Sequence, residues 1–443
     1  MVDLYSTTKK AFCTHAGTPK YSRLFYFVIT RYTLHVSLCV VFHTYMPPTL
    51  TPLTTDIPTF VRQMFLDAQD AKASDVHVEP TSTVVRIRFR VDGILHEYTA
   101  IALVYHEQLL SHLKVLASLN TSAVFIPQDG QFLFNVSRND DEQNSKNFTI
   151  SIRVSVFPTI NGDAAVFRLA SSAAKIFSLD SLGMTPQMLN QVRNIITRSY
   201  GMFLITGPVG SGKTTALYSA LNETMTTDKN IVTLEDPVEI RFDTIRQIDI
   251  HPEHGLTFAL GMKSILRQDP DVIMIGEIRD RETAEYAIRA ALVGRTIFSS
   301  IHTNSSIGTI ARLMDMGIDK SMIAYALNGV ISSRLVRKNC DFCKQAYTPA
   351  PEFCAFFGVD PHKHTFYKGI GCTQCDQKGY IGRTGIFEVL EFDSDLRTLI
   401  VDGTSMNELQ QHVEKKGSKT LKQDALEKVL AGTFTMENAA HAI

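Results

Sequence analysis

Cysteine is scarce, with 7 in 443 residues. That is too few for a disulfide-built secreted scaffold, which substitutes cross-links for a core. Net charge is nearly absent, since Lys+Arg numbers 44 and Asp+Glu 45, a formal −1. Such a balance gives no global attraction to nucleic acid or to an anionic membrane. No Lys/Arg run is present either, which argues against a nucleic-acid remodeller with a zinc ribbon. Long apolar stretches are lacking too. The one 18-residue candidate, Phe25 to Phe42, carries Arg31 and His35 near its middle, where a charge is costly in lipid. Lys9, Lys10, Lys20 and Arg23 precede it as in a signal peptide, but no small-x-small cleavage site follows. The expectation is that residues 1–45 are an upstream extension and that Met46 is the start. No internal repeat is visible. Apolar residues themselves are plentiful, at 44% against 20% charged. This ordinary globular usage excludes a low-complexity disordered chain, and the length predicts roughly two to four domains.

After a Pro/Thr-rich linker at 46–58, Phe60, Val61, Met64, Phe65 and Ala68 recur at helical spacing. Residues 74–80 read as a short strand ended by Pro80. Val85, Ile87, Phe89 and Val91 alternate with Arg86, Arg88 and Arg90, and Asp92-Gly93 supplies a hairpin turn. A helix is predicted at about 106–119, a second turn at Gln128-Asp129-Gly130, a strand over 148–156, and a hairpin tip at 139–147. From Met202 the texture changes to short apolar strands alternating with helices, which predicts a parallel α/β sheet. Strands are expected at 202–206, 231–234, 272–276 and 296–301, and helices at about 213–225, 257–267, 281–292 and 307–315. Residues 339–390 read as loop-rich and 391–443 as helical and polar.

Gly207-Pro208-Val209-Gly210-Ser211-Gly212-Lys213-Thr214 fits G-x-x-x-x-G-K-[ST], and Thr215 follows. A buried strand precedes it and a helix follows, the context such a loop requires. Its glycines let backbone N–H groups surround a phosphate at a helix N-terminus. Lys213 adds a point charge for the β/γ-phosphates of ATP, and Thr214 a hydroxyl for Mg²⁺. Glu235 and Glu277 each follow an apolar strand, and ligands gather at the carboxyl ends of parallel strands. One of them can hold Mg²⁺ through water while the other orients or deprotonates the attacking water; the residues leave open which does which. His302 ends a further strand and is placed to sense the γ-phosphate.

Cys340-x-x-Cys343 and Cys372-x-x-Cys375 enclose 28 residues. Two such knuckles make a tetrahedral S₄ site, which selects Zn²⁺ or iron, and Zn²⁺ fits better without a redox context. With all four positions filled by protein the metal is structural. Cys354 reads as a buried helix residue.

These motifs, in this order, resemble the secretion ATPase superfamily, and within it the type II secretion, type IV pilus assembly and competence pseudopilus ATPases. The resemblance rests on ASDVHVEP (73–80), RIRFRVDG (86–93), GPVGSGKTT (207–215), TLEDPVE (233–239), LRQDPDVIMIGEIRD (266–280), SSIHTN (299–304) and YIGRTGIFEVLE (380–391). It implies a RecA-like P-loop NTPase core (176–338) preceded by an α+β N-terminal domain (57–175). A tetracysteine zinc module (339–390) and C-terminal helices (391–443) follow, with 1–56 as extension and linker. It also implies an aspartate box at Glu235 and Asp236, an atypical Walker B acid at Glu277, a histidine box at His302, and site-completing arginines at Arg153 and Arg168. The implied protein is a cytoplasmic homo-hexamer, peripheral to the inner membrane, which drives an inner-membrane platform protein and has no nucleic-acid partner. Retraction ATPases of this superfamily usually lack the tetracysteine module, so assembly or export is favoured over retraction. Lys213, Glu235 and Glu277 likewise oppose a non-hydrolysing scaffold. Two positions depart from the pattern: Val293-Gly294-Arg295 stands where the box usually opens with Thr-Gly-His, and Gln131 where an arginine is usual.

Overall fold

The computed structural model describes residues 53, 55–123, 125–138, 146–169 and 178–443. The expectations for residues 1–45, for most of the 46–58 linker and for residues 139–145 of the 139–147 hairpin tip lie outside those residues, while 146–147 belong to a strand. The elements below belong to one compact unit, Thr49–Ile443.

The predicted apolar helical stripe forms α1 (Ile57–Asp70), capped by the Asp56 carboxylate and burying Val61, Met64, Phe65 and Ala68. It packs on a sheet made of β1 (Asp75–Pro80), β2 (Val84–Val91), β3 (Ile94–Ala102), β4 (Gln128–Arg138), β5 (Lys146–Thr159) and β6 (Gly162–Leu169). α2 (His106–Leu116) lies between β3 and β4. The strand order is β3-β2-β1-β6-β5-β4, antiparallel throughout. Strand alternation sends Val76, Val78, Val85, Ile87, Ile152 and Val154 into the core with α1 and α2. The opposite face carries the arginines, and Arg153 and Arg168 stand directly across from each other on β5 and β6.

Two details differ from the sequence reading. α2 stops at Leu116, and Ser118 takes a left-handed φ of 56° just beyond it. Gln128-Asp129-Gly130 is not a turn but the start of β4, paired with Val156, Ser155 and Val154. Gly130 is there for space, because a Cβ would sit 2.7 Å from Leu119 Cδ2 and 2.8 Å from the Ala117 carbonyl. Gln131 follows in β4 opposite Arg153.

The second sheet is mainly parallel. After α3 (Pro186–Ile196) come β7 (Gly201–Thr206), α4 (Lys213–Thr224), β8 (Ile231–Glu235), β9 (Arg246–Asp249) and α5 (Phe258–Ile265). Then follow β10 (Val272–Ile275), α6 (Arg281–Leu292), β11 (Thr296–Ile301), α7 (Ser306–Asp315), α8 (Lys320–Ala326) and β12 (Leu327–Asn339). The remainder is β13 (Lys344–Tyr347), α9 (Pro351–Phe357), β14 (Phe366–Gly369), β15 (Tyr380–Glu391), α10 (Ser394–Asp402), α11 (Met406–Lys415), α12 (Leu421–Leu430) and α13 (Met436–Ala442). The order is β15-β12-β7-β11-β10-β8-β9, with only β15 antiparallel. Met202 and Leu204 of β7 enter one apolar cluster, while Phe203 and Ile205 enter the other. Burial on both faces explains why these strands read as continuous apolar runs.

Three strands of this sheet, β9, β12 and β15, were not read from the sequence. β12 buries Asn328, Ser332, Ser333 and Arg334, so its polar residues hide it. β15 lies largely inside the stretch read as loop-rich and begins with the glycine-broken YIGRTG. The C-terminal segment is helical as expected, yet not wholly polar. Leu421, Ala425, Val429, Phe434 and Met436 form a core with Cys354 and Phe366. Among the described residues no helix is long and apolar enough to cross a membrane.

Candidate functional site

β7, an interior strand of the sheet, runs into the phosphate loop, and α4 begins at Lys213. Gly212 caps α4 with φ 87°, a left-handed conformation that favours glycine. Gly207 leaves no room for a side chain: a Cβ would lie 2.5 Å from Ser211 Oγ and 2.6 Å from the Ser333 carbonyl. The loop is thus moulded against β12, with Pro208, Val209 and Gly210 exposed at its crest.

Lys213, Glu277 and His302 meet although they are far apart in sequence. Lys213 Nζ donates to the carbonyls of Gly207 (2.8 Å) and Pro208 (2.9 Å) and lies 3.4 Å from His302 Nδ1. His302 Nε2 lies 3.3 Å from Glu277 Oε2, whose other oxygen takes the Arg279 guanidinium. One neutral tautomer satisfies both ring contacts: Nδ1 accepts from the ammonium and Nε2–H donates to the carboxylate. Burial pulls the Lys213 pKa below the usual lysine range, and the Glu277 charge opposes that. The chain is open to the cleft, since the His302 side chain is 47% exposed and that of Glu277 17%.

Glu235 sits differently. It is 4% exposed and takes hydrogen bonds from Thr233 Oγ1 (2.5 Å), Gln247 Nε2 (3.1 Å) and the Tyr218 hydroxyl. Burial raises its pKa, with these three donors acting against the rise. Tyr218 also accepts from the backbone N–H of Glu239 (3.3 Å) and Ile240 (3.4 Å). Neither Tyr218 nor Gln247 was identified from the sequence. Tyr218 lies on the apolar side of α4 and Gln247 on an unrecognised strand, so neither gave a signal.

Arg153 and Arg168 reach the same cleft, a space of about 1210 Å³ that also takes in the phosphate loop. Arg153 Nη2 donates to the Asp236 carbonyl at 2.7 Å, tying the six-stranded sheet to the segment just after β8. Arg168 Nε donates to Asp75 Oδ1 at 3.1 Å. Neither contacts Lys213 directly. Arg279 was missed although it stands two residues after Glu277, and Arg383, inside a quoted motif, lies 3.9 Å from Asp92 at the cleft.

The four knuckle cysteines converge, and their sulfurs all lie within 4.8 Å of one another. Cys340–Cys372 and Cys343–Cys375 sulfurs are 3.8 Å apart, and Cys372–Cys375 3.7 Å. A tetrahedron of sulfurs at the Zn–S distance of about 2.3 Å has edges of about 3.8 Å. A disulfide would need about 2.0 Å. Backbone N–H groups of Cys372 and Gly379 donate to Cys375 Sγ, each at 3.2 Å, as suits a thiolate. The donor set therefore fits Zn²⁺. Cys354 stands apart, buried in α9.

A glycine-lined phosphate loop entering a helix from the centre of a parallel sheet, with acids at the ends of neighbouring strands, defines a P-loop nucleotide-binding protein. The profile of the family described as type II/IV secretion system protein matches residues 54–441, and the chain belongs to that family. It is 40% identical over 381 residues to the type IV pilus assembly ATPase PilB of Thermus thermophilus, covering 85% of this chain and 42% of that protein. It is also 41% identical to the type II secretion system protein E of Pseudomonas aeruginosa, covering 82% of this chain and 71% of that one. The chain spans less than two thirds of the first of these, and 66% of the PilB of Myxococcus xanthus. Among solved structures, the pilus retraction motor PilT with bound ADP aligns at 25% identity and TM-score 0.57, covering 86% of this chain and 96% of PilT. The Legionella pneumophila ATPase DotB, at 20% identity and TM-score 0.62, covering 88% and 98%, shares the fold.

Proposed function

We propose that the chain is a cytoplasmic homo-hexameric ATPase, peripheral to the inner membrane. It hydrolyses ATP with Mg²⁺ and drives a platform protein there to assemble a type II secretion pseudopilus, a type IV pilus or a competence pseudopilus. The observation that carries this reading is the Lys213–His302–Glu277 chain at the mouth of the phosphate loop. The names of the relatives, two assembly ATPases and one secretion protein E, support the assembly direction, as does the tetracysteine cluster. A retraction motor is the second reading, favoured by the likeness to PilT.

In this proposal residues 57–175 form the N-terminal domain and 176–338 the ATPase core. Residues 339–390 form a module in which Cys340, Cys343, Cys372 and Cys375 hold a structural Zn²⁺, and 391–443 form a separate C-terminal helical segment. Backbone N–H groups of Val209–Thr215 at the N-terminus of α4 hold the phosphates, with Lys213 as the point charge. Thr214, and Glu235 through water, would hold Mg²⁺, which would supply neutralising charge for the phosphates. Glu277 takes the proton of the attacking water, and His302 joins that carboxylate to Lys213 beside the γ-phosphate. Arg153 and Arg168 offer planar donor forks to phosphate oxygens from across the cleft.

Steady-state hydrolysis measured together with oligomer mass, wild type against Lys213→Ala, tests the reading. A hexamer whose turnover falls about 100-fold or more in the variant is expected, as for loss of a positioned phosphate-binding charge. A folded hexamer without Lys213-dependent turnover would instead be a nucleotide-bound scaffold.

A further inference from the structure

β12 carries a cation into the core beside the phosphate loop. Arg334 is 5% exposed, and its guanidinium donates to two backbone carbonyls, Ser333 at 2.9 Å and Asn304 at 2.7 Å. Both carbonyls matter to the nucleotide site. Ser333 O is the atom against which Gly207 is moulded, and Asn304 follows His302 by two residues in the loop between β11 and α7. The start of the same loop is fixed to the end of β7, where Thr206 Oγ1 lies 2.6 Å from Thr303 Oγ1 and accepts the Thr303 N–H at 2.9 Å.

A carboxylate stands beside this bracket. Glu388 on β15 is 7% exposed and faces Ser332, two residues from Arg334, so the two charges are diagonal neighbours on one face. Burial lowers the Arg334 pKa, and the Glu388 charge opposes that. Glu388 Oε1 accepts the Ser306 N–H at 3.0 Å and the Ser306 hydroxyl, while Oε2 accepts the Leu421 N–H at 3.4 Å. Ser306 opens α7 and Leu421 opens α12. One carboxylate therefore caps two helices, one leaving the histidine loop and one from the C-terminal segment, at their partially positive ends. A buried pair of this kind is seldom worth more to stability than apolar residues of the same volume, which directs attention to what it holds in place.

We propose that Arg334 and Glu388 are positioning residues that fix loop 302–305 against the phosphate loop. Through Glu388 that placement depends on the first turn of α12, so the C-terminal helices act on the hydrolytic geometry. The proposal rests on the reading of the nucleotide site as an ATPase site.

The test measures kcat, normalised to titrated nucleotide sites, together with KM for ATP and Tm, on the full chain. Arg334→Met is expected to lower kcat about tenfold with KM within about twofold, because small misplacements of reacting groups are costly. Arg334→Lys, which keeps the charge and one carbonyl contact, recovers part of that loss. Ser306→Ala, which deletes only the hydroxyl bond to Glu388, lowers kcat about threefold, in line with one lost hydrogen bond. Should Arg334→Met fail to fold, Ser306→Ala decides. Wild-type kcat per site in Ser306→Ala and in any folded Arg334→Met overturns the proposal, as does a loss confined to KM. Lys213→Ala separates the two levels. If the wild type shows no Lys213-dependent hydrolysis, the site reading fails and this proposal fails with it. If hydrolysis depends on Lys213 but not on Arg334 or Ser306, this proposal alone fails.

Discussion

Two strand ends of one parallel sheet present a glutamate to the same cleft, and they do so in opposite ways. At the end of β8, Glu235 is closed in, with Tyr218, Thr233 and Gln247 all donating to it. Just beyond β10, Glu277 is open and touches Arg279 and His302, the latter within reach of Lys213. A carboxylate ringed by fixed donors is held in place, with its oxygens already engaged. One that shares a histidine with the phosphate-binding lysine can pass a proton with little movement. Position at a strand end makes both acids candidates, and their surroundings differ.

The largest expected effect follows from that contrast. Glu277→Gln keeps the shape but removes the basic oxygen, so kcat should fall about 100-fold or more, the usual contribution of a positioned base. Glu235→Gln should cost clearly less. Steady-state turnover at saturating ATP checks this, and equal losses in the two variants would erase the distinction.

A smaller effect belongs to the enclosure of Glu235. Tyr218→Phe removes the hydroxyl that serves both Glu235 and the N–H groups of Glu239 and Ile240, while the ring stays beside Phe242. Loss of a hydrogen bond to a charged group should lower stability by about 2 kcal/mol. It should lower kcat roughly fivefold through a less fixed Glu235, with KM little changed. Urea unfolding and kinetics on the same preparation test both halves. Unaltered kcat with lowered stability would leave Tyr218 as packing only.

What could be read beforehand divides along physical lines. The phosphate loop, the four apolar strands and the Cys-x-x-Cys pairs are local patterns whose chemistry is fixed by spacing, and each lies within a few residues of its expected place. β12 escaped notice because its buried positions include Ser332, Ser333 and Arg334, which tertiary partners satisfy and periodicity cannot foresee. β15 escaped because YIGRTG reads as a turn until β12 pairs with it. In the site, Glu235, Glu277 and His302 were placed by their strand ends, but their partners were not. Tyr218, Gln247, Arg334 and Glu388 act across the sheet order, which no local pattern reports. Arg153 and Arg168 came from resemblance, and the structure puts both at the cleft, held by the Asp236 carbonyl and the Asp75 carboxylate.

The smallest effect is a pH dependence of stability contributed by the enclosed glutamate. Burial raises the Glu235 pKa above its ordinary 4.5. Over the window between 4.5 and the raised value, the folded chain binds this proton more fully than the unfolded chain does. Stability from this group is therefore greatest below that window and declines as pH rises through it. Glu235→Gln cannot ionise and escapes the decline. The difference in Tm between variant and wild type should move in the variant's favour as pH rises through the window, then level off. Thermal unfolding from pH 4.5 to 8 decides it. A Glu235→Gln difference that stays constant with pH would mean that the three donors fully offset burial, and the two strand ends would then differ in geometry alone.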